Sequence, residues 1–582
     1  MNDSVSVLGI HDGHSASACL LRDGCIVAAV SEERLSRRKN DPGYPRRAVE
    51  EVLRIAACRP MDLTAIALGT RFMHHREFFL GWDWYRKGYD DQLRDANGAG
   101  DRRRYFAEER LGERRSTIVD HLGVPDARIT VVEHHDAHAA TAYYACPWVN
   151  DAGPVLVLTL DGSGDGVCAT VGIGEGGRVR RIAETRSAAS IGKVYSRVTF
   201  LLGMKPWEDE YKVMGLAPYA DETGAGRSYR VIRPLVEVDR GALTFRPGTQ
   251  LWTNYCYPYL RSQLEGHRFD WIAGAAQRVL EELVLAWVRN AVAHTGIKRV
   301  ACAGGVFMNV KVNMLMLDLP EVAQLFVFPS CGDESICIGA AYRVYADYIR
   351  RTGRAVTMPV FDSVYLGPEF SQAAIRAAID AEGLAAKYRV RLISNVNEAV
   401  AQLLARGEIV ARCDGRMEWG ARALGNRSIL LDPRRLERVR DLNRAIKHRD
   451  FWMPFAPTVL AERQREYLLN GKGVAAPYMI LAFRTTPEGY DVLRAAIHPY
   501  DLTARPQVLE PDASPGYYDL VKQFEALTGV GAVLNTSFNL HGEPIVCSPQ
   551  DAIRTFERSG LEFLALGNFL ISKRGADEAL AR

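Results

Sequence analysis

The chain has 582 residues, too many for one hydrophobic core, so two domains are expected. Its 73 basic and 70 acidic side chains leave a net charge of +3, and the arginine-rich stretches at 34–38 and 102–115 are interrupted, which disfavours nucleic acid as the main partner. The 11 cysteines include no C-x-x-C pair and read as reduced thiols, and no apolar run is long enough to cross a bilayer, so a soluble, cytoplasmic protein without a membrane partner is expected.

Val5 to Ile10 predicts an apolar strand, followed by a His-Asp-Gly-His loop, a strand Ala16 to Leu21, an Arg-Asp-Gly turn and a strand Cys25 to Val30. That is an antiparallel meander. Residues 74–115 are rich in aromatics and charge, show no clear period and carry an Ala-Asn-Gly-Ala-Gly tip. They read as an insertion or lid, the usual seat of specificity. Residues 134–138 then spell His-His-Asp-Ala-His, with His134 and His138 one helical turn apart.

Residues 155–184 repeat the opening plan: a strand to Leu160, a polar loop Asp161 to Gly166, a strand through Val171, a glycine-rich turn and a strand Arg178 to Ile182. Two such copies imply an α/β, duplicated actin-like domain whose first hairpin loops clasp a nucleotide. An amphipathic helix over about Trp271 to Thr295 feeds the strand Arg299 to Ala303 and the turn Gly304-Gly305. Coil rich in arginine, glycine and proline follows, and the domain boundary is placed there, giving domains 1–355 and 356–582. The second region predicts helices Ser371 to Glu382 and Val396 to Arg406, and a strand Ile409 to Arg412. An arginine- and glycine-dense stretch Gly415 to Arg435 comes next, and later a strand Gly531 to Leu534 followed by Asn535-Thr536-Ser537-Phe538-Asn539.

Three groupings carry chemistry. His134 and His138 with Asp161 and Asp333 make a two-nitrogen, two-oxygen donor set that suits iron(II), manganese or zinc better than magnesium, although histidines so spaced also serve as plain core fixtures. Glycines at 162, 164 and 166, and at 304 and 305, mark turns where backbone comes close to something, with phosphate or adenosine the natural candidate. Arg416, Arg422, Arg427, Lys447, Arg449 and Arg505 lie among Trp419, Leu424, Phe451, Trp452 and Phe455, residues that want burial, so anionic partners are implied rather than a solvated face. In the first loop His11, Asp12 and His14 offer a general base, His14 preferred. Lys39, Glu210 and Lys212 read either as phosphate or ribose contacts or as surface charges. The sequence has no nucleophile elbow, Walker lysine loop or Rossmann fingerprint.

The segments Gly9 to Ser17, Glu32 to Lys39, His134 to Ala139, Lys212 to Tyr219, Gly304 to Asn309, Gly415 to Leu430, Lys447 to Leu460, Thr503 to Gln507 and Asn535 to Val546 together resemble the O-carbamoyltransferases of antibiotic and nodulation-factor biosynthesis. That family includes the tobramycin, cephamycin and nodulation enzymes. The resemblance implies an N-terminal domain like the threonylcarbamoyl-transfer protein and a C-terminal domain like the YrdC adenylating fold. It implies that the C-terminal domain makes carbamoyl-adenylate from ATP, with its Mg2+, and carbamoyl phosphate, releasing pyrophosphate. The N-terminal domain then passes the carbamoyl group to a hydroxyl of a small-molecule acceptor, without nucleic acid as partner and with self-association into a homodimer left open.

Carried over by motif, Lys447, Arg449, Arg416, Arg505, Ser537 and Asn539 would hold ATP and carbamoyl phosphate, and His134, His138, Asp161 and Asp333 would hold Fe(II). Lys39, Glu210, Lys212, Gly304, Gly305 and Asn309 would line a second nucleotide pocket, with His14 near the acceptor. The chain departs from the family pattern at Met453, where arginine is usual, at Ala421 for proline and at Asp450 for glutamate. The related tRNA threonylcarbamoylation enzymes would need a basic RNA surface, and hydrogenase-maturation carbamoyltransferases would carry zinc-ribbon cysteine pairs. Neither is visible. A nucleotide-binding scaffold of the same fold would leave the arginine-rich motifs without purpose.

Overall fold

The computed structural model describes residues 4–97, 100–239, 241–447 and 449–573. The chain packs as two compact units, Met1–Glu32 with Asn40–Phe361 and Glu33–Lys39 with Asp362–Arg582. No helix among the described residues is long and apolar enough to cross a membrane. Ten of the eleven cysteines are buried, and Cys25 is exposed.

The first unit opens with strands β1 (Ser6–His11), β2 (Ser17–Arg22) and β3 (Cys25–Ser31), then β4 (Ala65–Gly69) and β5 (Ile129–Val132). Their order is β3-β2-β1-β4-β5, the first three antiparallel and the last two parallel to β1. A second sheet is formed by β6 (Val155–Gly164), β7 (Val167–Glu175), β8 (Arg178–Arg186), β11 (Arg299–Ala303) and β12 (Gln324–Val327), with a separate hairpin of β9 (Val236–Asp239) and β10 (Thr244–Pro247) between them in the chain. Its order, β8-β7-β6-β11-β12, is the first sheet's plan again. The repetition extends to the turns: Asp23-Gly24 and Asp165-Gly166 both place aspartate at φ 50°, with the glycines at 83° and 84°. Both central residues thus have positive φ, the backbone that two-residue hairpins favour. β1 is buried along its whole length, which is why it reads as a continuous apolar run rather than an alternation.

Two expectations are corrected here. The polar loop Asp161 to Gly166 is mostly strand, because β6 continues to Gly164; Leu160 pairs with Ala169 and Gly164 with Val167, so Asp161 to Ser163 bulge opposite Cys168. Such a bulge re-aims side chains, and it turns Asp161 inward. The insertion at 74–115, which showed no period, is helical over Arg76–Leu80, Tyr89–Asn97 and from Gly100 into Leu122. The inward face of the last helix sets Arg114 between Leu111 and Ile118, so periodicity finds no clean apolar stripe. In the Ala-Asn-Gly-Ala-Gly tip, Gly98 and Ala99 lie outside the described residues.

Arg114, on that last helix, is buried against the first hairpin loop. It donates to Asp12 through Nε at 2.7 Å and Nη2 at 2.8 Å, and to the carbonyls of Gly69, Thr70 and Arg71. The guanidinium and burial compete at Asp12, and its carboxyl ends below the ordinary carboxylate range. Arg114→Ala leaves a buried carboxylate unpaired, and is expected to cost about 3–5 kcal/mol of stability in a denaturant titration. An unchanged midpoint would show that the pair contributes nothing.

The second unit carries a mixed eight-stranded sheet of β13 (Arg389–Leu392), β14 (Val410–Cys413), β15 (Arg427–Leu431), β16 (Ala456–Leu460), β19 (Gln507–Leu509), β20 (Ala532–Ser537), β21 (Phe563–Leu566) and β22 (Phe569–Ser572), with β17 (Phe483–Arg484) and β18 (Thr503–Ala504) pairing apart from it. The order is β13-β22-β21-β14-β15-β20-β16-β19, with β14–β21 and β16–β19 parallel. Its core gathers Ile379, Ile429, Leu534, Phe538, Phe556 and Leu564. Asn535, Thr536 and Ser537 belong to β20 rather than following it, since their pairing with β15 outweighs their low strand propensity.

Candidate metal centre and anion site

The helix His134–Tyr144 starts directly after β5, capped by the Glu133 carboxylate, which accepts from the Asp136 amide at 2.7 Å. His134 and His138 face one side of it. Asp161 arrives from the β6 bulge, and Asp333 from the short turn after β12. One ligand atom from each of the four lies within 4.8 Å of the others. His134 Nε2 stands 3.5 Å from Asp161 Oδ2 and 3.6 Å from Asp333 Oδ1, and His138 Nε2 is 3.6 Å from Asp333 Oδ1. These separations exceed hydrogen-bond length. His134 Nε2, His138 Nε2 and Asp333 Oδ1 are accordingly buried polar atoms without a hydrogen-bond partner. Buried orphans converging on one point fit a divalent ion, and nitrogen with carboxylate donors suits a transition metal.

Surrounding groups set this geometry. Thr70 Oγ1 lies 3.2 Å from His134 Nδ1, leaving Nε2 for the centre, and Asp165 accepts from the His134 amide at 2.9 Å. His135 is spent on Thr159 Oγ1 at 2.7 Å and the Val167 carbonyl at 3.1 Å, and burial drives its pKa far down, so it pins the helix as a neutral ring. Asp161 Oδ1 accepts from the Gly305 amide at 2.9 Å, and a Cβ at Gly305 would sit 2.7 Å from that oxygen. Gly164 is forced in the same way, since its Cβ would overlap the His134 ring at 1.9 Å. The Asp333, Asp161 and Asp165 carboxylates outweigh the burial of His134 and lift it to about 9. Asp161 is pushed well below the carboxylate range by His134 and His138 despite its burial.

Other residues of the first unit fall into two places. His11 is buried, feels both Asp333 and His134, and is lowered to about 4 by burial, so it is the first-loop histidine electrostatically tied to the centre. His14 is half-buried, with its ring 4.9 Å from that of Trp207. Glu210 accepts from Ser196 Oγ at 3.1 Å and the Trp207 amide at 2.8 Å, and burial raises it to about 7. Lys212 pairs with Asp209 at 3.3 Å. Asn309 caps the helix Val310–Asp318 and exchanges two hydrogen bonds with Gln277. Gly304 sits at φ 113°.

In the second unit, a π-helical turn Asn443–Lys447 buries Lys447. Its ammonium donates to the Ser537 carbonyl, to Ser537 Oγ at 3.1 Å and to Asn539 Oδ1 at 2.9 Å, all neutral oxygens. Burial, then Arg449, then Lys39 lower its pKa well below the usual lysine value. A buried ammonium with two further cations acting on it and, among the described residues, only neutral acceptors makes a candidate anion site. Arg449 reaches Thr536 Oγ1 and the Pro454 carbonyl, each at 3.2 Å, and covers the Phe455 ring. Arg416 donates to the carbonyls of Leu366 and Gly367, and Arg505 is half-buried between β18 and β19.

Lys39 thus packs with the Lys447 set, although the motif reading grouped it with Glu210 and Lys212. Arg37 anchors its segment by donating to the carbonyls of Ile545 at 2.7 Å and Pro544 at 2.8 Å, and Arg34 does the same to Gly420 at 2.7 Å. Arg427 is a second correction. Buried guanidiniums were read as seeking anions, yet it is satisfied by the carbonyls of Cys547, Asp414, Gly415 and Asn426.

Residues 6–342 match the sequence model of the carbamoyltransferase N-terminus, and residues 401–573 that of the carbamoyltransferase C-terminus. The chain belongs to the carbamoyltransferase family. It is 31% identical to nodulation protein NolNO of Sinorhizobium fredii over 97% of this chain and 79% of that protein. It is also 31% identical to 3'-hydroxymethylcephem-O-carbamoyltransferase of Amycolatopsis lactamdurans, over 46% of this chain and 47% of that one. Among solved structures, full-length HypF in its phosphate- and nucleotide-bound form is similar at 12% identity and a TM-score of 0.32, covering 60% of this chain and 56% of that one.

For this carbamoyltransferase, the sequence reading missed the groups that hold the site rather than those that form it. Glu418 escaped notice, yet its Oε1 accepts from the amides of Leu424, Asn426 and Arg427 and so shapes the arginine-rich loop. Asp165 was visible only as part of a glycine-rich turn. A carboxylate in a loop of small residues is the signal that could have exposed both.

Proposed function

We propose that this chain is an ATP-dependent O-carbamoyltransferase that makes carbamoyl-adenylate in its second unit and passes the carbamoyl group to a hydroxyl of a small-molecule natural product in its first. The observation that carries the reading is the buried Lys447 ammonium, which has only neutral acceptors and lies among further cations. A YrdC-like role for this unit and an actin-like nucleotide site in the duplicated unit complete the scheme. Displacing pyrophosphate from the α-phosphate of ATP requires a carbamate oxygen as nucleophile, so water must first cleave carbamoyl phosphate to carbamate and orthophosphate. Lys447, Arg449, Arg416 and Arg505 would neutralise the phosphates, with Ser537 and Asn539 fixing the ammonium.

In the transfer step the acceptor oxygen attacks the carbamoyl carbon, AMP leaves, and a first-loop histidine takes the proton, with His14 the accessible one. His134, His138, Asp161 and Asp333 would hold iron(II), which when bound stabilises charge developing on the departing phosphate. Asp161, fixed by the Gly305 amide, keeps that donor set in register. Glu210, Lys212, Gly304, Gly305 and Asn309 would line the AMP end. Mass spectrometry of incubations with ATP, Mg2+, carbamoyl phosphate and a metabolite extract should find a compound that gains one carbamoyl group. Pyrophosphate should appear only when both co-substrates are present. ATP turnover without any need for carbamoyl phosphate would refute the reading.

A further inference from the structure

The helix Ile191–Leu201 begins beside the metal centre, where its cap Ser190 donates to the Asp161 carbonyl at 3.3 Å. Lys193, in its first turn, is half-buried, and among the described residues its ammonium has neither a hydrogen-bond nor an ion-pair partner. Asp161, the carboxylate that acts on it, is already turned to Gly305 and His134. One turn on, Arg197 is buried with its guanidinium 5.2 Å from the Trp84 ring and 4.6 Å from the Tyr85 ring, and its Nε has no acceptor. Trp84 Nε1 is likewise a buried donor without an acceptor.

Aromatic faces lie against the Arg197 and Trp84 donors, and Lys193 acts on His74, whose ring stacks on Phe78 with centroids 3.7 Å apart. Phe78 stacks on Trp84 with centroids 5.2 Å apart at 20°, Trp84 lies 5.0 Å from Trp207, and Trp207 reaches His14. The Phe78, Trp84, Trp207 and His14 rings are only half-buried. Trp207 holds φ 64°, unusual for a bulky side chain, with its amide fixed on Glu210 at 2.8 Å. Donors lacking acceptors, beside partly open rings, form half of an interaction whose other half is an acceptor-rich, flat molecule.

We propose that Lys193 and the Phe78, Trp84 and Trp207 rings form the subsite for the carbamoyl acceptor, and that this acceptor is a hydroxy compound bearing an anionic group beside a flat apolar body. The assignment rests on the transferase reading, with the ring wall leading to His14. The anion would lie on Lys193 and take up the unpaired Trp84 donor. The apolar body would cover the rings and deliver the hydroxyl towards the first loop.

The test uses 4-(hydroxymethyl)benzoate and its neutral amide, 4-(hydroxymethyl)benzamide, as probes of the full chain, followed by tryptophan fluorescence without nucleotide. The acid should quench saturably and bind at least about tenfold more tightly than the amide. Lys193→Met should remove that preference while leaving amide binding in place, and Lys193→Arg should restore part of it. Equal binding of acid and amide, no saturable quenching by the acid, or an unchanged preference in Lys193→Met would each overturn the proposal. Pyrophosphate release by the wild-type chain, measured separately, decides the transferase reading, so the two can fail independently.

Discussion

Lys447→Ala should lower pyrophosphate release in the presence of ATP and carbamoyl phosphate by about 10²–10³-fold or more, the scale seen when one fixed charge or donor on a developing anion is removed. The side chain donates only to Ser537 and Asn539, so truncation orphans no buried carboxylate and the fold should persist. The penalty therefore falls on the reaction. Burial and the neighbouring cations weaken the ammonium's hold on its own proton, and an arriving phosphate reverses that by supplying the missing negative charge. A folded Lys447→Ala protein that released pyrophosphate at the wild-type rate would remove the basis for placing activation in the second unit.

His138→Ala should do the opposite. It removes one of four converging donors in the first unit, so bound metal should fall in elemental analysis, and carbamoyl transfer should drop by about two orders of magnitude or more. Pyrophosphate release should survive. Wild-type chain stripped of metal by a chelator, then freed of the chelator and supplied with Mg2+, should show the same split, keeping the first half-reaction and losing the second. His138 Nδ1 and Nε2 are both without hydrogen-bond partners, so the substitution breaks no network, and a loss of transfer cannot be put down to unfolding if the melting temperature holds. Loss of both half-reactions in a folded variant would show that the two sites do not divide the labour.

Much of this was legible in the chain. The two meanders could be read because β1 and β6 are nearly continuous apolar runs, and because Asp-Gly turns punctuate both repeats. The four metal-centre residues were legible as residue types, since histidines at i and i+4 announce a shared helix face. What periodicity could not supply was register. The bulge at Asp161 to Ser163 is a count of residues opposite Cys168, and no local composition fixes it. The helix running into Leu122 was hidden because Arg114 interrupts its inward apolar face. Arg427 misled the reading of the cationic loop, because burial of a guanidinium can be met by backbone carbonyls as well as by phosphate. Lys193 was passed over for another reason: a single lysine in a helix carries no sequence signal, and only its surroundings make it unusual.

Residues Glu33–Lys39 are packed with strands made hundreds of residues later. Arg34 and Arg37 find acceptors at Gly420, Pro544 and Ile545, so these arginines lack those acceptors while the first unit is being synthesised. A chain emerging from the ribosome can complete β1 to β12 and still hold the loop unsatisfied until almost the last strand appears. The second unit is therefore not a separable tail: its assembly completes contacts begun more than 500 residues earlier, and a truncated product ending before Pro544 would leave Arg37 without its Pro544 and Ile545 acceptors.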